Sequence, residues 1–125
     1  MDDTAIFEER SKRPTNIEII IKTKKIVSFK VSEDMFEWIE NAWRSSGFSS
    51  RSDYLRALII SLVDEPNRVE KTNGDLLPIK AERTITFKLD NTTLHKLDEL
   101  TAKKGYSTRS DLLREVIYSL MRRQI

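Results

Sequence analysis

A ten-residue stretch that occurs twice decides how this chain is organised. It runs Gly47-Phe48-Ser49-Ser50-Arg51-Ser52-Asp53-Tyr54-Leu55-Arg56, and again Gly105-Tyr106-Ser107-Thr108-Arg109-Ser110-Asp111-Leu112-Leu113-Arg114. The two copies are 58 positions apart, and the match extends without a gap from 25–65 onto 83–123, with 12 of 41 aligned residues identical. A repeat of this kind indicates one small structural unit that occurs twice in the chain.

Each copy of the stretch predicts the end of one helix and the start of the next. Gly47 and Gly105 supply the left-handed residue that commonly ends a helix. Ser50 and Thr108 each precede an aspartate by three residues, a spacing that resembles a capping box, although a serine N-cap one residue earlier is the alternative. We therefore expect two helices in each copy, with a tight turn between them.

Apolar residues at helical spacing flank each turn and predict the buried faces of these helices. Before the turns they are Phe36, Ile39 and Ala42, and Leu94, Leu97 and Leu100. After the turns they are Tyr54, Leu55, Leu58, Ile59, Leu62 and Val63, and Leu112, Leu113, Val116, Ile117, Leu120 and Met121.

Each copy opens with a stretch of alternating character, 26–31 and 84–89, that is rich in β-branched and aromatic residues and predicts one short strand. Alternate side chains of a strand lie on opposite faces, so one face of each strand is expected to be buried. The expected inner residues are Val27, Phe29 and Val31, and Ile85, Phe87 and Leu89. The expected outer residues are Ile26, Ser28 and Lys30, and Thr84, Thr86 and Lys88.

These patterns divide the chain into four parts. Residues 1–23 form an N-terminal extension, in which the β-branched run Ile17–Ile21 either extends the first strand or forms an extra one. Residues 24–65 and 83–125 are the two strand–helix–helix units, and 66–82, with two prolines and an Asn-Gly-Asp turn, is a linker. A unit of about 41 residues with one strand cannot normally complete a core alone, so we expect the units to pair within the chain.

Composition excludes several classes of function. The 125 residues contain no cysteine and one histidine, which argues against disulfides, thiolate metal sites and His-based catalysis. No apolar run approaches the roughly 20 residues of a membrane span, and the start of the chain is unlike a signal peptide. We expect a cytoplasmic protein without cofactor, metal or enzymatic activity. The abundance of charged residues, with one glutamine, also fits a hot-adapted source.

The repeated glycine-to-arginine stretch, each time after a predicted strand, resembles the ribbon-helix-helix superfamily of DNA-binding regulators. The resemblance covers about two thirds of the chain, divided between the two units. It implies a mainly α protein with a short β-ribbon, an α+β fold in which the two tandem units interlock as an intramolecular pseudo-dimer. It also implies a regulator, more often a repressor, whose ribbon enters the major groove of a double-stranded DNA operator, with a homo-oligomer or cooperative assembly on the DNA.

The resemblance assigns roles that the physical chemistry supports. A β-ribbon fits the roughly 12 Å wide major groove, where lysines donate to guanine, hydroxyl groups bond several bases, and an isoleucine packs on a thymine methyl. The expected base-reading residues are Ile26, Ser28, Lys30, Thr84, Thr86 and Lys88. The expected phosphate contacts, at the helix starts and strand ends, are Lys24, Lys25, Arg83, Ser49, Ser50, Arg51, Ser107, Thr108 and Arg109.

Simpler interpretations exist for the same residues. The outer strand face is compatible with an ordinary solvated sheet, and the serines and arginines of the second helix with plain capping. Trp38 and Trp43 suggest packing against another chain or the leading segment, because their equivalents Lys96 and Thr101 are not aromatic. His95 is expected on the surface.

Two other functions remain open beside a DNA-reading regulator. An antitoxin-like autorepressor would need a toxin-binding segment, for which only residues 1–23 are available, and an architectural protein would coat DNA with little sequence preference. An enzyme is the least favoured class, because no nucleophile–base pair or metal-ligand set is visible.

Overall fold

The computed structural model describes residues 23–68, 80 and 82–123. The predicted run Ile17–Ile21 and the predicted Asn-Gly-Asp turn at 73–75 lie outside the described residues. In chain order the elements are strand β1 (Lys24–Val31), helix α1 (Glu33–Ser45), helix α2 (Arg51–Asp64), a 3-10 turn (Pro66–Arg68), strand β2 (Arg83–Asp90), helix α3 (Asn91–Lys103) and helix α4 (Arg109–Arg123). The expected mainly α fold with a short two-stranded sheet is confirmed.

The two strands form one antiparallel ribbon within the chain. Ser28 lies opposite Thr86, and these two residues are equivalent in the repeat, since 28 + 58 = 86. An approximate two-fold axis therefore passes between Ser28 and Thr86. The other pairs obey the same symmetry. Ile26 lies opposite Lys88, and their equivalents in the repeat, Thr84 and Lys30, also lie opposite each other. The register alone therefore gives the ribbon two-fold symmetry.

The inner face of the ribbon forms the centre of the hydrophobic core. Phe29 and Phe87 are 2% and 3% exposed, and their rings meet edge to face with centroids 6.4 Å apart. Edge-to-face contact is a favourable geometry for aromatic pairs. All six residues predicted for the inner face are buried: Val27, Phe29, Val31, Ile85, Phe87 and Leu89.

The helices interlock across the approximate two-fold axis. Helix α2 follows β1 in the chain but packs against β2 and α3, whereas α4 packs against β1 and α1. Each second helix therefore covers the strand of the other segment. Fully burying one leucine or isoleucine contributes about 1.5–3 kcal/mol. The contacts between each second helix and the opposite strand join residues that are far apart in sequence.

The predicted helix ends occur where the repeat places them. Gly47 and Gly105 both have φ of +83°, the left-handed conformation that favours glycine. Ser50 Oγ accepts a hydrogen bond from the Asp53 amide at 3.1 Å, and Thr108 Oγ1 accepts one from the Asp111 amide at 3.1 Å. The N-caps are therefore Ser50 and Thr108, and not the serines that precede them.

The buried face of α1 differs from the predicted one. Met35 and Ile39 are its buried residues, whereas Phe36 is half-buried and Ala42 is partly exposed. Phe36 lies at the edge of the core because the guanidinium groups of Arg51 and Arg83 cover its ring, at 4.7 and 3.7 Å from the ring centroid. A cation stacked on an aromatic ring keeps part of that ring outside the apolar interior.

The predicted stripes of the second helices are correct at their centres. The buried members are Leu55, Ile59 and Leu62 in α2, and Leu112, Leu113 and Ile117 in α4. The other predicted members are partly buried at the margins of the core: Tyr54, Leu58, Val63, Val116, Leu120 and Met121.

Candidate nucleic-acid interface

The outer face of the ribbon carries all six side chains predicted to read bases, and each of them is exposed. The strand register arranges them as three cross-strand pairs, which are Ile26 with Lys88, Ser28 with Thr86, and Lys30 with Thr84. Ile26 contributes a large apolar side chain to this face, and it is 65% exposed. The face is narrow, solvent-exposed and chemically different at its two ends.

The centre of this face is a pair of hydroxyl groups. Ser28 Oγ and Thr86 Oγ1 are 3.0 Å apart, and either atom is able to donate the hydrogen bond. The approximate two-fold axis passes between them. Because a hydroxyl group both donates and accepts, this pair can adapt to more than one base edge.

Lys30 and Lys88 lie on either side of the hydroxyl pair, on opposite strands. Both side chains are exposed, and within the described residues no ion pair engages either of them. An ammonium group without a carboxylate partner is available to donate to an external acceptor. Neither lysine is needed for packing, since both project away from the core.

The basic residues at the strand ends divide between the two faces. Lys24 shares the outer-face alternation with Ile26, and it lies opposite Asp90 in the register. Lys25 and Arg83 lie on the same face of the ribbon as the inner residues, at the margins of the core. Arg83 stacks on Phe36 and forms an ion pair with Glu33 at 2.9 Å. Arg83 is therefore engaged against α1, with its side chain still 43% exposed.

The start of each second helix has the features of an anion site. The first amides of a helix have no acceptor within the helix and carry the positive end of its dipole. Ser49, Ser107 and Thr108 are exposed there, and Ser50 is half-exposed. A cavity of about 460 Å³ is lined by Ser28 of the ribbon together with Ser107, Thr108 and Arg109, so ribbon and helix start border one concave surface.

The arginines that begin these helices turn back to the preceding helix. Arg51 Nε donates to Glu40 Oε2 at 2.6 Å, and Arg109 contacts both carboxylate oxygens of Asp98 at 2.9 Å. The hydrogen bond from Arg51 is the main reason why the pKa of Glu40 lies below its ordinary value. Both guanidinium groups are thus bonded within the protein, and the side chains of Arg51 and Arg109 remain 35% and 34% exposed beside the helix starts.

Two further arginines, Arg56 and Arg114, belong to the repeated stretch but received no role from it, and they connect the helix starts to the ribbon. Arg56 donates to Asp53 Oδ1 at 2.6 Å and to the carbonyl oxygen of Lys88 at 3.0 Å. Hydrogen bonds from Ser49 and then from Arg56 lower the pKa of Asp53. The same Asp-x-x-Arg spacing occurs in both copies of the repeat. This repeated pair of opposite charges, one helical turn apart, was the feature of the sequence that pointed to the structural role of the two arginines.

The two segments differ at a buried polar position. Glu115 is 5% exposed, and Tyr106 is 7% exposed beside it. Burial, followed by the charge of Glu115, raises the pKa of Tyr106 to about 12. The equivalent residues in the first segment are Phe48 and Ala57, which have no ionisable group. Only the second segment therefore carries this pair.

The predicted surface histidine and the two tryptophans lie on the first helices of the two segments. His95 is 77% exposed, beside Glu99, as expected for a surface histidine. Trp38 packs against the core, and the Trp43 indole donates to Glu40, so within the described residues both tryptophans have partners in their own chain.

Among the described residues, no group of three or more His, Cys, Asp or Glu side chains is placed to hold a metal ion. In the same part of the chain, no helix is long and apolar enough to cross a membrane.

Comparison with known proteins identifies one segment of the chain. No curated protein and no solved structure matches the chain. A protein-family model, described as the ribbon-helix-helix protein of the copG family, matches residues 83–124. That family is one of DNA-binding transcription regulators. The match covers about a third of the chain and coincides with β2, α3 and α4, so the second strand–helix–helix segment is similar to a ribbon-helix-helix protein.

Proposed function

We propose that this chain is a sequence-specific regulator of transcription that binds double-stranded DNA as an intramolecular pair of ribbon-helix-helix units, 24–65 and 83–125. The observation that carries the proposal is the two-fold register of the ribbon, which gives one exposed face two equivalent strands. A second helix is bonded to each edge of this ribbon through Arg56 or Arg114. A single chain then supplies what two copies supply in a symmetric dimer.

The proposed contacts follow from this geometry. The ribbon enters the major groove, where Lys30 and Lys88 donate to guanine, the Ser28–Thr86 pair bonds base edges near the axis, and Ile26 packs on a thymine methyl. The helix starts at Ser49–Ser50 and Ser107–Thr108 grip the phosphates on either side. Lys24 and Lys25 add positive charge along the backbone. Further copies of the chain bind adjacent sites cooperatively.

The two halves of the ribbon offer different chemistry. On one side of the axis the outer residues are Ile26 and Lys88, and on the other side they are Thr84 and Lys30. A homodimer would present the same residues twice. We therefore propose that the preferred site has two unlike halves.

The proposal is tested by selecting binding sites from a random duplex library with the purified chain, and by measuring the affinity of lysine variants for the selected site. Lys30→Ala and Lys88→Ala are each expected to weaken specific binding by about 1–3 kcal/mol, while binding to scrambled DNA changes little. Lys96→Ala, which removes an exposed lysine from α3, is the charge-matched control.

Three outcomes would contradict the proposal. The selection enriches no site, the lysine variants bind the selected site as tightly as the unmodified chain, or the control variant loses as much affinity as they do. Equal losses on selected and scrambled DNA would place the lysines on phosphates and remove them from base reading.

A further inference from the structure

One Asp–Arg pair at the start of each second helix links that helix to the strand of the other segment. In the first pair, the Arg56 guanidinium donates one hydrogen bond to Asp53 at 2.6 Å and another to the Lys88 carbonyl oxygen at 3.0 Å. Asp53 in turn accepts from Ser49 Oγ at 2.7 Å. A continuous set of hydrogen bonds thus runs from the start of α2 to the backbone of Lys88.

The second pair repeats the first across the approximate two-fold axis. Arg114 donates to Asp111 at 2.6 Å and to the Lys30 carbonyl oxygen at 3.1 Å. The two arginines are equivalent in the repeat, and so are the two lysines whose carbonyl groups they bind. Each arginine therefore reaches the lysine that the other segment contributes to the outer face.

The strand geometry explains why these carbonyl groups need a donor. The Glu82 amide donates to the Val31 carbonyl oxygen at 3.0 Å, so residue 31 directs its carbonyl group toward the partner strand. Backbone groups of successive residues in a strand point alternately to its two sides, so Lys30 directs its carbonyl group to the open edge of the ribbon. The two-fold register places Lys88 in the same way. An arginine at each edge supplies the hydrogen bond that a third strand would otherwise give.

We propose that Arg56 and Arg114 are positioning residues for base recognition, each of which fixes a base-reading lysine relative to the helix start that grips the adjacent phosphate. The inference rests on the proposed function. The guanidinium group suits this task because it is planar and rigid and donates in two directions at once. The side chains of Arg56 and Arg114 are 30% and 21% exposed, so most of each is enclosed by the protein. Arg56 therefore controls the reading by Lys88, and Arg114 the reading by Lys30.

The test measures discrimination base pair by base pair. On the site selected by the unmodified chain, the positions read by Lys30 and Lys88 are first identified as those whose discrimination disappears in K30A and K88A. R56Q is then expected to lose about tenfold in discrimination at the Lys88 positions and less than about twofold at the Lys30 positions. R114Q is expected to show the reverse. R123Q, which removes an exposed arginine from the last turn of α4, is the matched control.

A crossed pattern of this kind cannot result from general loss of stability, which would weaken both halves equally. Uniform loss of discrimination over both halves would overturn the inference, and so would a loss shared by random DNA with a salt slope lower by about one, which is typical of a phosphate contact. If the glutamine variants do not fold, R56K and R114K provide the same comparison, because lysine keeps the charge but cannot make the planar two-way contact. An unmodified chain that selects no site would overturn the proposed function together with this inference.

Discussion

The first segment of the chain, 24–65, and the second, 83–123, share a backbone arrangement and differ at particular side chains, some buried and some exposed. The strands, the glycine turns and the Asp–Arg pairs correspond position by position. In contrast, the first segment has Phe48 and Ala57 where the second has Tyr106 and Glu115, and its ribbon has Ile26 where the second has Thr84. The shared residues maintain the two-fold packing, and the divergent ones give the two halves different chemistry.

This difference shows what two units in one chain make possible. In a homodimer every substitution appears twice, so the two halves of the interface stay identical. Here a change at one strand affects one half only.

The largest effect is expected at the shared core. Phe29→Ala and Phe87→Ala should each lower the free energy of unfolding by about 3–5 kcal/mol, because each removes a buried ring that packs against the other. Denaturant unfolding at neutral pH measures the loss, and Ile26→Ala, on the exposed face, is the control. A large loss for one phenylalanine and none for the other would mean that the two halves do not share the core equally.

A smaller effect is expected at the buried polar pair that only the second segment has. Tyr106→Phe should cost about 1–3 kcal/mol, because the nearly buried Glu115 loses a polar neighbour. The double variant Tyr106→Phe/Glu115→Ala copies the first segment and should be more stable than the sum of the two single changes predicts. Denaturant unfolding of the four proteins gives the coupling energy, and simple additivity would show that the two side chains do not interact.

The smallest effect is expected from the Glu40–Arg51 pair in acid. Because the folded protein holds the pKa of Glu40 below its ordinary 4.5, the unfolded chain binds more protons there. The pair therefore stabilises the fold above about pH 4.5, and this contribution is lost as the pH falls through the lowered pKa. Glu40→Gln should reduce the acid loss of stability by about 1 kcal/mol or less. Melting temperatures between pH 3 and 7, with Glu37→Gln as control, measure it, and identical curves for both variants would contradict the assignment.

The sequence predicted the secondary structure well because its patterns are local. Alternation in 26–31 and 84–89 determines which strand residues are buried, and a glycine with positive φ ends each first helix whatever surrounds it. The pairing of β1 with β2 was also predictable, since neither strand can satisfy its backbone alone.

What the sequence did not predict depends on contacts between distant elements. Arg51 and Arg83 both cover Phe36, and this arrangement appears only once α2 and β2 are placed beside α1. For the same reason the buried face of α1 centres on Met35 and not on Phe36. Likewise, the carbonyl groups that Arg56 and Arg114 bind belong to strands 32 and 84 positions away in the chain.

The central claim, that one chain presents two unlike halves of a DNA-reading ribbon, is tested most directly by making the halves alike. The double variant Ile26→Thr/Ser28→Thr gives β1 the outer residues Thr, Thr and Lys that β2 already has. Sites are selected from one random duplex library with the unmodified chain and with this variant, and the enriched sequences are compared. The account predicts a site with two unlike halves for the unmodified chain and a two-fold symmetric site, built from the Thr84 half, for the variant. The same enriched site from both proteins, or no enriched site from either, would contradict it.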